Sequence, residues 1–345
     1  MRISVAALVW VLAVPAALAW AAQAGPETLP EGDAGIAAKH PGDLGIDKDP
    51  DVVFAESFEG DSVSALTRRW TQFNTKLTTL VDDVPPGSAG KKSLLFTHVG
   101  GQGEGGHLYK SFKPGFDQLF LRFYVKFDPD CNPIHHFVHM GGYNPPTPWP
   151  QGGAGVRPKG NERFTTGIEP YGNAWQWDFY SYWMEMRGSP PRGQCWGNCF
   201  LGDAKPKAER GKWQCVELMM KLNDVGDSNG EQALWVDGKL IGHLGKGFPK
   251  GKWVFDRFLP GQGGDAIRWN DQKGGRESFR VAQGGEPFEG FRWRNSDALR
   301  LSFLWMLVYI TKAPEGHLSK IGFDDVVLAR KYIGPLARGK GRIQR

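Results

Sequence analysis

The chain has 345 residues, with 42 Lys and Arg against 37 Asp and Glu and a formal charge of +5. Hydrophobic residues at 40% are enough for a packed core, which excludes a disordered chain. The positive charge is mild and shows no dense Lys/Arg stretch before the closing RGKGRIQR, so no nucleic-acid partner is expected, whereas an acidic polysaccharide fits.

Arg2 precedes an apolar run ending near Ala19, with small residues at Ala17 and Ala19, or Ala22 and Ala24, as cleavage options. A short apolar stretch with this pattern over residues 1–24 fits a secretory signal better than a membrane span. No later run is long enough to cross a bilayer, so the expected destination is secreted or periplasmic. Residues 25–50, rich in Gly, Pro, Asp and Glu, read as a linker.

Order is expected from residue 51. Strands are read at 52–58, 94–99 and 107–112, and residues 119–127 alternate with Leu119, Leu121, Phe123, Val125 and Phe127 on one face. The Gly/Pro-rich stretch 141–160 is too long for a turn, and such loops tend to cover or line sites.

Residues 164–188 read FTTGIEPYGNAWQWDFYSYWMEMRG, crowding aromatics and carboxylates into one strand-like run. Tyr180 and Tyr182 lie two apart, so both phenols leave the same face, while Phe179, Ser181 and Trp183 take the other. Phenols beside the indoles of Trp175 and Trp177 suit a sugar ring, whose C–H faces stack on aromatics while its hydroxyls bond to polar tips. Taken singly, each aromatic fits a sandwich core; as a cluster they favour a carbohydrate site.

An even number of cysteines in an oxidising destination predicts two disulfides. Cys195 and Cys199 enclose a three-residue loop, which leaves Cys131 to pair with Cys215. The spacings lack the paired C-x-x-C of a zinc ribbon. Residues 213–223 alternate Cys215, Glu217, Met219 and Lys221 against Val216, Leu218, Met220 and Leu222. Asn229-Gly230 and Asp237-Gly238 mark hairpin turns around a strand at 233–236. Residues 261–285 read as a Gly-rich insertion, 299–310 as a buried apolar strand, 321–329 as the closing strand and 336–345 as a basic tail. Many short strands without βαβ alternation predict an all-β fold: one two-sheet jelly-roll sandwich over residues 51–335, its first and last strands paired.

FAESFEG at the start, GKWQCVELMMKLN and NGEQALWVDGKLIG in the middle, and IGFDDVVLARKYIGP at the end resemble the concanavalin-A-like lectin/glucanase superfamily. The middle segment is similar to polysaccharide lyases of family 14, and more distantly to families 7 and 20. That resemblance implies a lyase that cleaves a uronate-containing glycan by β-elimination in a groove on the concave sheet. It also implies a basic residue before a Gly-Gly, a Ser-x-Arg pair and a Tyr-x-Tyr. Here the Gly-Gly is Gly141-Gly142, preceded by His135, His136 and His139 and no lysine, and the Tyr-x-Tyr is Tyr180 and Tyr182. Thr165-Thr166-Gly167 stands in place of Ser-x-Arg, with Arg163 upstream and Glu169 downstream.

A lyase neutralises the uronate carboxylate, removes the C5 proton and protonates the leaving oxygen. Tyr180, Tyr182, His136 and His139 are the candidate catalytic residues, and His135, Arg163, Glu169, Trp175, Trp177 and Lys221 the candidate substrate-binding ones. On a regular strand His136 and His139 face opposite ways, so HHxxH is not read as a metal site. Hydrolysis needs two carboxyl groups flanking the bond, and Asp178 and Glu185 point to opposite sides of their strand. A glycan-binding module needs only the aromatic platform. The chemistry requires no cofactor; Asp324 and Glu56, in the paired terminal strands, offer oxygen ligands for a structural calcium ion, set against their reading as ordinary carboxylates.

Overall fold

The computed structural model describes residues 27–202 and 206–337. The signal expected over 1–24 and the tail from residue 338 onward lie outside the described residues. Two antiparallel sheets form the sandwich. One runs in spatial order Lys239–Leu244, Glu231–Val236, Gln214–Lys221, Gln118–Phe127, Leu318–Ala329, Ser93–Val99 and Thr78–Val81, with Val52–Glu56 also paired to Leu318–Ala329. The other runs Gln72–Phe73, Glu104–Phe116, Leu301–Tyr309, His136–Tyr143, Arg163–Tyr171 and Gln176–Tyr182. The first and last strands pair as expected, with Phe54 opposite Leu328 and Glu56 opposite Val326.

Period-two patterning decides which faces meet. Leu119, Leu121, Phe123, Val125 and Phe127 all enter the interior, where Leu119, Leu121 and Phe123 sit beside Met220, Leu218 and Val216 of the neighbouring strand. Phe137, Phe164, Ile168, Phe179, Leu304 and Met306 meet them from the six-stranded sheet. Each such side chain contributes about 1.5–3 kcal/mol when fully buried. A one-residue slip would turn a whole row outward, so the register is strongly specified.

Residues 27–50 are not a linker. They form 3-10 turns at Gly32–Ala34, Ile36–Lys39, Pro41–Asp43 and Ile46–Lys48 that lie on the outer face of the eight-stranded sheet. Ile36, Ala37 and Ile46 are buried there with Phe120, Met219, Trp235 and Ile333. The Ile36 N–H donates to the Tyr332 carbonyl at 3.1 Å, the Ala37 N–H to that of Ile333 at 2.9 Å, and Asp43 pairs with the buried Arg122 guanidinium. Composition misleads here because a few apolar residues among many Gly and Asp are enough to cover that face.

The Gly-rich insertion is also built. Lys250–Val254, Arg257–Pro260, Gly264–Asn270, Gly275–Val281 and Glu286–Pro287 form a small separate sheet. Neither expected disulfide is present. Cys131 belongs to the interior cluster, whereas alternation turns Cys215 outward onto Tyr124 and Leu336. Cys195 bridges to Gly155 and Cys199 to Arg257 through their backbones, which draws the two ends of the short loop to different partners, and all four side chains are thiols. Among the described residues no helix is long and apolar enough to cross a membrane.

Candidate active site

The outer face of the six-stranded sheet collects the chemistry. Register places Gly167 opposite Tyr180, Thr165 opposite Tyr182 and Glu169 opposite Asp178, and on the other flank sets His139 opposite Gly167. Directly opposed residues share a face, so the phenols, His139 and Glu169 emerge together. Trp177 and Phe179 take the alternate positions and enter the core.

His136 joins them through a local irregularity, against the expectation that it faces away from His139. Phe137 and Val138 both point into the core, and the pairing with Leu301–Tyr309 shifts register between Met306 and Tyr309. Such a bulge re-aims side chains, here bringing both imidazoles to one side of the sheet. Their ring centroids are 6.1 Å apart, and that of Tyr180 lies 4.9 Å from His136 and 6.1 Å from His139.

Two polar pairs define the site. The Tyr180 and Tyr182 hydroxyls are 3.0 Å apart, and His136 Nδ1 lies 2.9 Å from Glu169 Oε1. Burial pushes the Glu169 carboxyl up, outweighing the opposing hydrogen bond from His136. Burial also pushes both phenols up, so at neutral pH they are protonated. Beside Tyr182 the Arg163 guanidinium works against that rise by favouring the phenolate. Burial, and secondarily His136, pushes the His139 imidazole down to about 3, which keeps it neutral. Arg163 sits over the Tyr182 ring, 5.6 Å from its centroid, and donates to the Gly153 and Val156 carbonyls.

Close packing holds the groups in place. A Cβ at Gly167 would come within 2.7 Å of His139 Nδ1, and one at Gly197 within 2.3 Å of the Tyr180 ring. The His139 ring stacks on Trp305, with centroids 5.4 Å apart at 29°. The resulting cleft holds about 160 Å³ and is walled by both tyrosines, both histidines, Arg163 and the 151–154 loop, which the Tyr143 hydroxyl anchors through Gln151. The long loop thus lines the site, as its length suggests.

Several expected residues lie elsewhere. Trp177 is fully buried between the sheets and Trp175 packs on Phe127 under Arg210, so neither is a sugar platform. Lys221 belongs to the opposite sheet and pairs with Glu231 at 2.8 Å on its outer side. His135 remains at the rim, its centroid 4.3 Å from that of His136. Asp178 shares the phenols' face, but its Oδ1 accepts the backbone N–H groups of Phe179, Phe200 and Leu201. Of the two calcium candidates, Glu56 has both oxygens engaged, by the Phe58 N–H and by Arg69, and Asp324 Oδ1 accepts the Asp325 N–H.

Trp305, Tyr309 and Tyr143 were not expected. Tyr309 stacks on His136 at 5.7 Å and 11°. The signal was available: Phe303, Trp305, Leu307 and Tyr309 alternate with core residues, a pattern hidden in a run that reads as uniformly apolar.

No protein-family model matches the chain, and no curated protein matches it in sequence. Solved structures do. The alginate lyase Aly36B superposes with a TM-score of 0.50 at 11% identity, covering 82% of this chain and 98% of that one. Alginate lyase vAL-1 from Chlorella virus gives 0.50 at 12%, covering 82% and 100%, and the marine PL-14 alginate lyase from Aplysia kurodai 0.50 at 13%, covering 81% and 99%. The chain is therefore an all-β jelly-roll sandwich with the fold of these lyases, and the resemblance read from its motifs holds at the level of fold. Fold alone assigns no activity.

Proposed function

We propose that the chain is a polysaccharide lyase that cleaves an acidic, uronate-containing glycan by β-elimination in this cleft. The observation that carries the reading is the pair of phenols 3.0 Å apart beside the His136–Glu169 contact. Elimination needs one group to take the C5 proton and another to protonate the leaving oxygen. Tyr182, whose phenolate the Arg163 guanidinium favours, acts as the base once its own proton has passed to solvent, and Tyr180, held protonated by burial, gives its proton to the leaving oxygen. Arg163 and the imidazoles of His136 and His139 face the uronate carboxylate, with Glu169 fixing the ring of His136. A negative charge on that carboxylate opposes formation of the C5 carbanion, so drawing it off stabilises the transition state. An extracellular glycan as substrate agrees with the secretory signal read at residues 1–24.

Hydrolysis has less support. Among the described residues no aspartate or glutamate lines the cleft, and Glu169 and Asp178 beside it are engaged by His136 and by backbone N–H groups. The test is incubation with alginate, glucuronan and glycosaminoglycans, reading near-ultraviolet absorbance from unsaturated uronate. Tyr180→Phe and Tyr182→Phe keep the rings and remove the transferable protons, so each lowers turnover by roughly 10²-fold or more with binding nearly intact. Reducing ends without absorbance would establish a hydrolase. Glycan binding with no product, unaffected by either substitution, would establish a binding module.

A further inference from the structure

We propose that His136, His139 and Glu169 form a binding site for a divalent transition metal of the zinc class, with its open coordination position turned toward the cleft. The ligand atoms of these three residues lie within 4.8 Å of one another. Two imidazoles and one carboxylate are the donor set that zinc takes where three protein ligands leave a fourth position for water or substrate.

The geometry is close to what an ion needs. Zinc bonds to nitrogen and oxygen of about 2.0–2.2 Å, at right angles or wider, place neighbouring ligand atoms about 2.9–3.5 Å apart. His136 Nδ1 and Glu169 Oε1 already stand at 2.9 Å, where an ion takes the place of the proton they share. The His139 ligand atom lies within 4.8 Å of both.

His139 supplies the independent observation. It is 6% exposed and lines the cleft, and its imidazole makes no hydrogen bond among the described residues, its ring meeting those of Trp305, Tyr180 and His136. A ring nitrogen at the cleft that no protein donor occupies offers its lone pair to a ligand. The bulge at Phe137 and Val138 is the second device: a regular strand would put the two imidazoles on opposite faces, and the irregularity is what makes a shared ion reachable.

For its role, though not for its binding, the ion rests on the lyase reading. The cleft lining contains Arg163 and no lysine, and Arg163 is drawn toward the Gly153 and Val156 carbonyls. An ion at the imidazoles receives the uronate carboxylate in its open position and draws off charge as the C5 proton leaves. The proton transfers stay with Tyr180 and Tyr182.

The experiment uses the untagged full chain after chelator dialysis, titrated with zinc by calorimetry and with cobalt by visible absorption. The expected results are one ion per chain, a tetrahedral cobalt spectrum without thiolate charge-transfer bands, and a rise in melting temperature with zinc. His136→Gln, at a half-buried position, and Glu169→Gln each weaken binding by at least the roughly 10–100-fold that loss of even an outer partner costs. Melting curves of the metal-free variants confirm that they fold. No stoichiometric binding, a thiolate spectrum, or affinity unchanged in both folded variants would overturn the site. The two readings fail separately: stoichiometric zinc with no unsaturated product from any uronate polymer leaves the metal site and removes the lyase. Product formation unaffected by chelation, with no bound ion, does the reverse.

Discussion

Replacing Gly167 by alanine places two opposing effects on one atom. The Gly167 backbone lies outside the left-handed region, so alanine is admissible there, and loss of unfolded-chain entropy alone stabilises by about 0.4–1 kcal/mol. The new Cβ, however, falls 2.7 Å from His139 Nδ1 and 2.8 Å from Cε1, where ordinary contact begins at 3.4 Å. His139 cannot simply slide, because Trp305 stacks on it. Overpacking of this kind costs about 1–3 kcal/mol, so the net expectation is destabilisation by roughly 1–2 kcal/mol, or a few degrees in melting temperature. Displacing the imidazole by a substantial part of an ångström also lowers turnover by up to about 10²-fold. Thermal unfolding and the near-ultraviolet assay on the same preparation read both. A variant that melts higher and turns over at the parental rate would show open space beside Gly167, and the placement of His139 would be wrong.

Trp177→Ala removes an indole buried between the sheets and costs about 3–5 kcal/mol, seen in denaturant unfolding; a variant of normal stability that only loses glycan affinity would restore Trp177 as a sugar platform. Lys221→Ala leaves turnover and glycan affinity unchanged and moves stability by no more than about 1 kcal/mol, because its ion pair is partly exposed on the far side of the sandwich; lost activity would contradict that position. Burial pushes the Glu217 carboxyl up to about 7, although the Ile333 and Gly334 N–H groups donate to it at 2.8 and 2.9 Å. The folded chain keeps this proton to about pH 7 and the unfolded chain releases it near 4.5, so stability falls with rising pH across that window, by on the order of 3 kcal/mol, and levels above it. Urea titrations across that range should show a shallower fall in Glu217→Gln, and an unchanged slope would place the pH dependence in other groups.

Period-two patterning carried most of the sandwich into the sequence. The row from Leu119 to Phe127 and the split faces of 213–223 could be read directly, because a half-buried strand must alternate. Alternation states which residues share a face, but not which face is interior. Tyr180 and Tyr182 were rightly paired, yet Trp177 on the other face was read as surface when it is core. The histidines failed for a different reason, since a bulge changes parity at Phe137 and Val138 and leaves no local mark in composition. Lys221 was read for its charge, without knowledge of which sheet its strand would join. The cysteines were paired by count and compartment, whereas a bridge also needs side chains aimed at each other, and Cys215 points outward while Cys131 points in.

The turns spanning residues 27–50 bear on where the gene can be cut. A recombinant start at residue 51, the boundary that composition recommends, would discard Ile36, Ala37 and Ile46 and lay bare Phe120, Met219 and Trp235 on a sheet face. It would also take Asp43 from the Arg122 guanidinium, which lies on that same face. The shortened product would be a sticky, weakened protein with the cleft between Tyr180 and His136 untouched on the other side. Inclusion bodies from such a plasmid would therefore report a missing N-terminal clamp, and would say nothing against the proposed activity.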